Sequence, residues 1–391
     1  MNSIPLIGTP PRDPRRSVRR PALAVLGVAA LATALVASAS PAAAGGYHSP
    51  GSPGTPVTLT DGLISPLSLD VGARGTAYLS QNFTGQVTAV DRAGVATTIA
   101  AVDGYESSAV TSRHGTVYFA KVANDHSSAV MMALRPGGEP QQFADIQAYE
   151  ARVNPDRVNR YGFVGLPQVC LDQIPADAPI PAVYTGIVDT HPYASLATRT
   201  GLYLADAGAN AILRVGYNGK VSKVAVLPPG DPVAVTADLA EQAGFPDCVV
   251  GYKYRFEPVP TDVEFGPDGW LYVTSLPGGT EDASLGARGA VYKVNPYTGA
   301  VRKVAGGFVT ATGLAVSKSG TVYVAELFGG AEGTGQVSVV KRGAARAFLA
   351  LSQPAAIELS GNRLYVTTDA LAEGPTAKVT VVPLRSHHHR H

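Results

Sequence analysis

The chain has 391 residues, of which 31 are Lys or Arg and 30 are Asp or Glu, giving a formal net charge of +1. Much of the basic excess lies in Arg12, Arg15, Arg16, Arg19 and Arg20, so the remainder is mildly acidic and has no Lys/Arg stripe to neutralise phosphates, which excludes nucleic acid as a partner. Beyond residue 44 the chain is too long for one β-sandwich.

After the basic head comes an apolar run at 21–37, too short and too Ala-rich for a comfortable membrane span. Ala-x-Ala follows at 37–39 and again at 42–44. The pattern reads as a secretory signal peptide over 1–44, with general secretion favoured over twin-arginine export. The mature chain is expected to be secreted, extracellular, monomeric and off the membrane. Residues 45–54 are a Gly/Pro/Ser leader, expected to be disordered.

From there one phrase recurs. Gly75-Thr76-Ala77-Tyr78-Leu79, Gly115-Thr116-Val117-Tyr118-Phe119, Gly269-Trp270-Leu271-Tyr272-Val273 and Gly320-Thr321-Val322-Tyr323-Val324 are close copies; Tyr203 and Tyr365 sit in looser ones. A basic period of roughly 40–50 residues in a strand-rich chain marks a propeller. Each repeat divides into four strands: an inner one, a tight Gly or Asp-Gly turn, the tyrosine strand, a third strand, a second short turn and an outer strand. Inner strands are expected at 66–71, 107–111, 193–197, 261–265, 313–316 and 355–359.

The last repeat lacks its outer strand, and a spare strand waits at 56–60. Pairing the two ends would close the ring and remove an exposed edge. The expectation is one all-β domain over 55–385, a six-bladed β-propeller of four-stranded antiparallel blades, with a flexible His-rich tail at 386–391.

The turns of one face stay short, whereas the other face collects the long loops and two insertions, 146–191 and 228–260. Long loops on a rigid scaffold are where function usually sits. Cys170 lies in the first insertion and Cys248 in the second, with no neighbouring His or CxxC partner. In an exported chain they are expected to form one disulfide, worth about 4 kcal/mol by chain entropy. Residues 145–150 begin like a short helix and Asn154-Pro155-Asp156 would end it; its aromatic and acidic side chains suit a lid.

The channel mouth, lined by the starts of the inner strands, offers Glu106, His191, Tyr193, Thr261, Asp262, Thr312 and Gln353. Asp206 and Glu326 end tyrosine strands on the same face and can either meet a ligand or cap their own loops. If the protein is an enzyme, Glu106, His191 and Asp262 are the catalytic candidates, and such a set suits acid/base work or a divalent metal such as Ca2+ as cofactor. No Gly-x-Ser-x-Gly elbow, HExxH, Walker loop or dinucleotide fingerprint occurs.

Two segments carry a family resemblance. Ala144-Asp145-Ile146-Gln147-Ala148-Tyr149-Glu150-Ala151-Arg152-Val153-Asn154-Pro155-Asp156 resembles the "ADL-x-AYEA-x-NNPD" segment of the ScyD/ScyE family, and Ala205-Asp206-Ala207-Gly208-Ala209-Asn210-Ala211-Ile212-Leu213-Arg214-Val215 resembles its "ADAGANALLRV". The resemblance implies an exported, six-bladed, TolB-like or NHL-like propeller and carries over no catalytic residues. His191 stands where the family commonly has Asn, and the cysteine-bearing insertions depart from it. The leading expectation is therefore a propeller that binds a small molecule or protein on its long-loop face without turnover. Its alternatives are a channel-mouth enzyme resembling the gluconolactonase or strictosidine-synthase propellers, and an envelope scaffold for another protein.

Overall fold

The computed structural model describes residues 52–385. The signal-peptide segment, most of the leader and the His-rich tail lie outside them.

The repeat phrase folds as its pattern dictates. Apolar residues alternating over short runs between glycine turns make antiparallel hairpins, and each repeat becomes a meander. The first sheet holds Ser68–Val71, Ala77–Gln81, Gln86–Val90 and Ala96–Ala101 in that order. Glu106–Arg113, Thr116–Val122, Ala129–Leu134 and Gln141–Asp145 form the next, and Pro192–Thr198, Gly201–Asp206, Ala211–Val215 and Val221–Val226 another. An eight-stranded sheet joins two further meanders, Pro260–Phe265 to Val301–Phe308 and Ala311–Val316 to Ala344–Ala350, through one parallel bridge between Gly306 and Ala344.

The final sheet brings the chain ends together. Ile357–Ser360, Arg363–Thr368 and Ala377–Arg385 take Val57–Leu63 as their fourth strand, with Val57 opposite Val381. The expected closure by the N-terminal strand is thus observed. The leader is more ordered at its end than expected, because Ser52 and Pro53 pair with Arg385 and Leu384. The first strand of each meander also packs on that of the next, and Ile357–Ser360 returns to Ser68–Val71, so the inner strands form a closed ring.

Side chains of the inner strands stitch this ring. Ser108 Oγ donates to the Pro192 carbonyl at 2.6 Å and Ser195 Oγ to the Ala109 carbonyl at 2.5 Å. Thr261 Oγ1 donates to the Ala311 carbonyl at 2.9 Å and Thr312 Oγ1 to the Ala355 carbonyl at 2.8 Å. Register shifts fall between Pro192 and Ala194, Pro260 and Asp262, and Ala311 and Gly313. Tyr193, Thr261 and Thr312 therefore occupy the same bulged step of successive meanders, where the strand twists most. The repeated tyrosines pack between sheets, as Tyr203 does edge-on against Phe265 at 5.6 Å.

The two insertions build an annexe. Val183–Thr185, Arg160–Val164, Lys253–Arg255 and Val233–Ala234 make a four-stranded sheet that draws on both insertions. Phe163, Phe245 and Tyr254 meet edge-on or tilted in its own core. Cys170 and Cys248 are bonded across it with Cα atoms 5.9 Å apart, as the sequence led us to expect. Helix α1 (Ile146–Val153) starts on Asp145, whose carboxylate accepts the Ala148 N–H at 2.8 Å, and ends at Asn154 in the left-handed region. It is not the lid expected of it: Ile146, Tyr149 and Glu150 are buried, and the helix wedges between the strands Ala129–Leu134 and Val221–Val226. Among the described residues no helix is long and apolar enough to cross a membrane.

Candidate active site

Most of the nominated mouth residues are engaged by the scaffold. Thr261 and Thr312 give their hydroxyls to neighbouring carbonyls, as described above. Asp262 accepts the Leu314 N–H at 2.7 Å across the ring and the Val263 N–H at 2.8 Å, yet burial outweighs both bonds and pushes it up to about 7. Gln353 has a φ of 40° and accepts the Leu371 N–H at 3.3 Å. Glu326 takes bonds from the Val309 N–H at 2.7 Å, Gln336 Nε2 at 2.9 Å and the Ser338 hydroxyl.

Asp206 is a loop clamp of the same kind. It accepts from Thr190 Oγ1 at 2.5 Å, the His191 N–H at 2.8 Å and the Ala209 N–H at 3.1 Å. Burial still holds it above the ordinary aspartate value. Its effect is to fasten the end of the first insertion to the third meander, and so to aim His191.

Glu106 and His191 do come together. Glu106 opens its inner strand, His191 precedes the next one, and His191 Nε2 lies 3.1 Å from Glu106 Oε1. Asn82 Nδ2, from the turn Asn82–Thr84, donates to the same oxygen at 2.7 Å. Burial alone would raise Glu106, but the charge and hydrogen bond of His191 and the Asn82 bond outweigh it and set the carboxyl below its ordinary value. His191 is the mirror case. Burial lowers it, and Glu106 overrides that, with help from Asp189 and Asp206, pushing it up to about 9. This is an ion pair with a protonated imidazole at neutral pH.

Two residues that the sequence reading passed over complete the group. His126, in the loop after Thr116–Val122, stacks on His191 with ring centroids 4.8 Å apart and planes at 13°. Its Nδ1 lies 2.9 Å from Asp189 Oδ1. A carboxylate at Nδ1 fixes the tautomer and turns Nε2 toward other partners. The His126 side chain keeps 25 % of its exposure, whereas Asp189 keeps 4 %. Tyr193 stands edge-on to His191 at 6.2 Å, and burial, reinforced by Glu281, Glu106 and Asp262, raises its phenol. The signal in the sequence was faint: Asp189 lies two residues before His191, and His126 is a lone histidine in one of the long loops.

The geometry suits proton transfer rather than covalent catalysis. Ser107 and Ser108, the nearby hydroxyls on the Glu106 strand, are spent on the carbonyls of Gln86 and Pro192. Of the set expected to hold a divalent metal, Asp262 is spent on the Leu314 and Val263 N–H groups, while Glu106 and His191 are bonded to each other. Among the described residues, no group of three or more His, Cys, Asp or Glu side chains is arranged to hold a metal ion.

Deeper in the channel the inner strands carry acids that the sequence reading also missed: Asp70, Glu264 and Glu358. Asp70 accepts from the Ser112 hydroxyl. Burial drives Glu264 and Glu358 well above the usual carboxylate range; Asp262 and Asp70 add to it at Glu264, and Glu264, Asp70 and Asp262 add to it at Glu358.

No protein-family model and no curated protein matches the chain. Solved structures do. The PQQ-bound form of aldose sugar dehydrogenase from Streptomyces coelicolor is 15 % identical, covers 86 % of this chain and 100 % of its own, and superposes with a TM-score of 0.51. A gluconolactonase from Xanthomonas campestris is 12 % identical over 84 % of this chain and 89 % of its own, with a TM-score of 0.50. A Bacteroides thetaiotaomicron protein of unknown function is 12 % identical over 84 % and 76 %, with a TM-score of 0.51. The fold is a β-propeller. At these identities the likeness concerns the propeller scaffold and leaves the chemistry to the residues above.

Proposed function

We propose that this is an exported, six-bladed propeller enzyme that carries out acid–base chemistry on a small polar substrate at the mouth of its long-loop face. The observation that carries the reading is the pair of stacked imidazoles, each tied to its own carboxylate, with His126 reachable from solvent. The count of six is supported by the ring of inner strands and the closure by Val57–Leu63. Export is supported by the basic, apolar, Ala-x-Ala head and by the disulfide. Kinship with the ScyD/ScyE family is supported by the meeting of the two resembling segments, where Asn210 Nδ2 donates to Asp156 Oδ2 at 2.9 Å.

The substrate class that best suits the pair is a lactone, as the gluconolactonase neighbour suggests by analogy. His126, oriented by Asp189, removes a proton from water; the hydroxide adds to the acyl carbon; His191, already protonated, donates to the departing ring oxygen. Water is thus added across the acyl–oxygen bond and one hydroxy acid results. General acid and base groups of this kind contribute about 10²–10⁴-fold each.

The test is hydrolysis of a series of sugar lactones by the mature protein. We expect turnover that falls at least about 100-fold in His126→Ala. Absence of turnover across the series, with saturable binding of the same lactones, would favour the second reading, a binding protein. That reading draws support from how many mouth residues the scaffold already engages.

A further inference from the structure

Behind the mouth, on the inner side of α1, lies a second polar group that the proposed chemistry does not use. Gln147, Glu150 and Asn154 are spaced three and four residues apart, so they share one face of the helix and its cap. Glu150 is 0 % exposed, and neither of its carboxylate oxygens has a hydrogen-bond partner. The same is true of Gln147 Oε1, Asn154 Oδ1 and Asp156 Oδ1. Asp156, also 0 % exposed, spends its other oxygen on Tyr161 Oη at 3.1 Å and Asn210 Nδ2 at 2.9 Å.

Two contacts draw the end of α1 and Asp156 onto one spot. Asn154 Nδ2 donates to the Gly186 carbonyl at 2.9 Å, which leaves its carbonyl oxygen as the orphan. Asp156 packs so closely on the same glycine that a Cβ there would fall 1.9 Å from Oδ1. Five buried acceptor oxygens thus come from one stretch of ten residues, with no donor for any of them. Native proteins rarely leave buried acceptors unmatched, and a cluster of them needs an explanation.

The electrostatics agree. Burial, with Asp206, Asp156 and Asp189 adding to it, pushes Glu150 up to about 9. Burial raises Asp156 to about 6 and Glu257 to about 8. No lysine or arginine is among the charges that shift these three groups. Buried carboxylates without a counter-charge are too costly to be left so.

We propose that Gln147, Glu150, Asn154 and Asp156 bind one calcium ion, which pins α1 to the root of the first insertion. The donors are oxygen throughout, with no nitrogen or sulfur to favour zinc, copper or iron. The charges of Glu150 and Asp156 balance a divalent cation. Carboxylate and amide oxygens from a flexible cap suit calcium, which accepts six to eight oxygens in variable geometry, and water completes the shell. Magnesium, which demands a near-ideal octahedron, is disfavoured by the same looseness. The set mixes two carboxylates with two amides and shares no member with the mouth.

The mature protein, stripped with EDTA and returned to chelator-free buffer, is titrated with CaCl2 and then with MgCl2 by calorimetry, while thermal melts are recorded with and without calcium. We expect one calcium per chain, a higher Tm with calcium, and at least a tenfold preference over magnesium. Glu150→Gln should weaken calcium at least tenfold. Should that variant fail to fold, Gln147→Ala, which keeps a good helix former on a half-buried position, decides the matter with a several-fold loss. Glu106→Gln should leave the titration unchanged; loss of binding there would move the ion to the mouth and overturn the assignment. Absence of heat and of any Tm shift, or unchanged affinity in both helix variants, would overturn it as well.

Discussion

The mouth and the group of oxygens at the end of α1 both bury carboxylates within one molecule, and they handle them in opposite ways. At the mouth the acids around the imidazoles have partners inside the chain: Glu106 has His191 and Asn82, Asp189 has His126, and Asp206 has two N–H groups and a hydroxyl. In the α1 group Glu150 has none for either oxygen, and Asp156 has none for one. A buried charge must be matched by a cation, a donor or a proton. The mouth meets that demand with its own side chains, which makes it a preset arrangement of proton donors and acceptors. The α1 group meets it only from outside.

The largest expected effect tests how closed the mouth pairing is. Glu106→Ala leaves a buried cationic His191 without its counter-charge, and breaking such a pair costs about 3–5 kcal/mol. Urea denaturation measures it, and a loss under about 1 kcal/mol would mean that solvent already screens the pair. A loss of similar size is expected in the annexe. Cys170→Ser with Cys248→Ser opens a loop of 78 residues, worth about 4 kcal/mol by chain entropy. Hydrogen exchange should quicken at Arg160–Val164 and Lys253–Arg255 while the ring strands stay protected.

The pH dependence sharpens the comparison further. His191 is raised above its unfolded value, so its contribution is complete below about pH 6.5 and is lost as the pH rises through about 9. That loss amounts to about 3 kcal/mol. Glu106 is lowered, so its contribution is present above the ordinary glutamate range and is lost as the solution becomes acidic. Melting temperature should therefore peak between these limits, and Glu106→Gln should flatten the alkaline limb. If that limb is equally steep in the variant, other groups govern it.

The smallest effect separates scaffold from site. Thr261→Val and Thr312→Val each remove one hydroxyl that stitches neighbouring meanders, at about 1 kcal/mol apiece. Lactone turnover should be unaltered in both. A hundredfold drop without loss of stability would return these threonines to the active site.

Much of the architecture was legible because it is local. A glycine turn followed by a short apolar strand needs only its own residues, so the inner, tyrosine, third and outer strands lie where the repeats placed them. The missing outer strand of the last repeat and the spare one at the start also told their own story. Helix α1 was legible from Asp145 and Asn154, but its role was not. An acid and an aromatic on a short helix suggested a lid, and only the packing showed Tyr149 and Glu150 facing inward. The annexe sheet was invisible for a related reason: its strands are two to five residues long and come from both insertions.

What the sequence determined by itself, then, was the all-β class, the repeat boundaries, the closure of the ring and the cysteine bridge, since each follows from short-range pattern or from simple counting. What only the tertiary structure decided was which polar side chains meet. His126 and Asp189 are 63 positions apart, Glu106 and His191 are 85 apart, and Asp156 and Asn210 are 54 apart. A closed ring brings neighbouring meanders together at their inner edges, so it chooses partners by position around the axis. Neighbours in the chain have no privilege there.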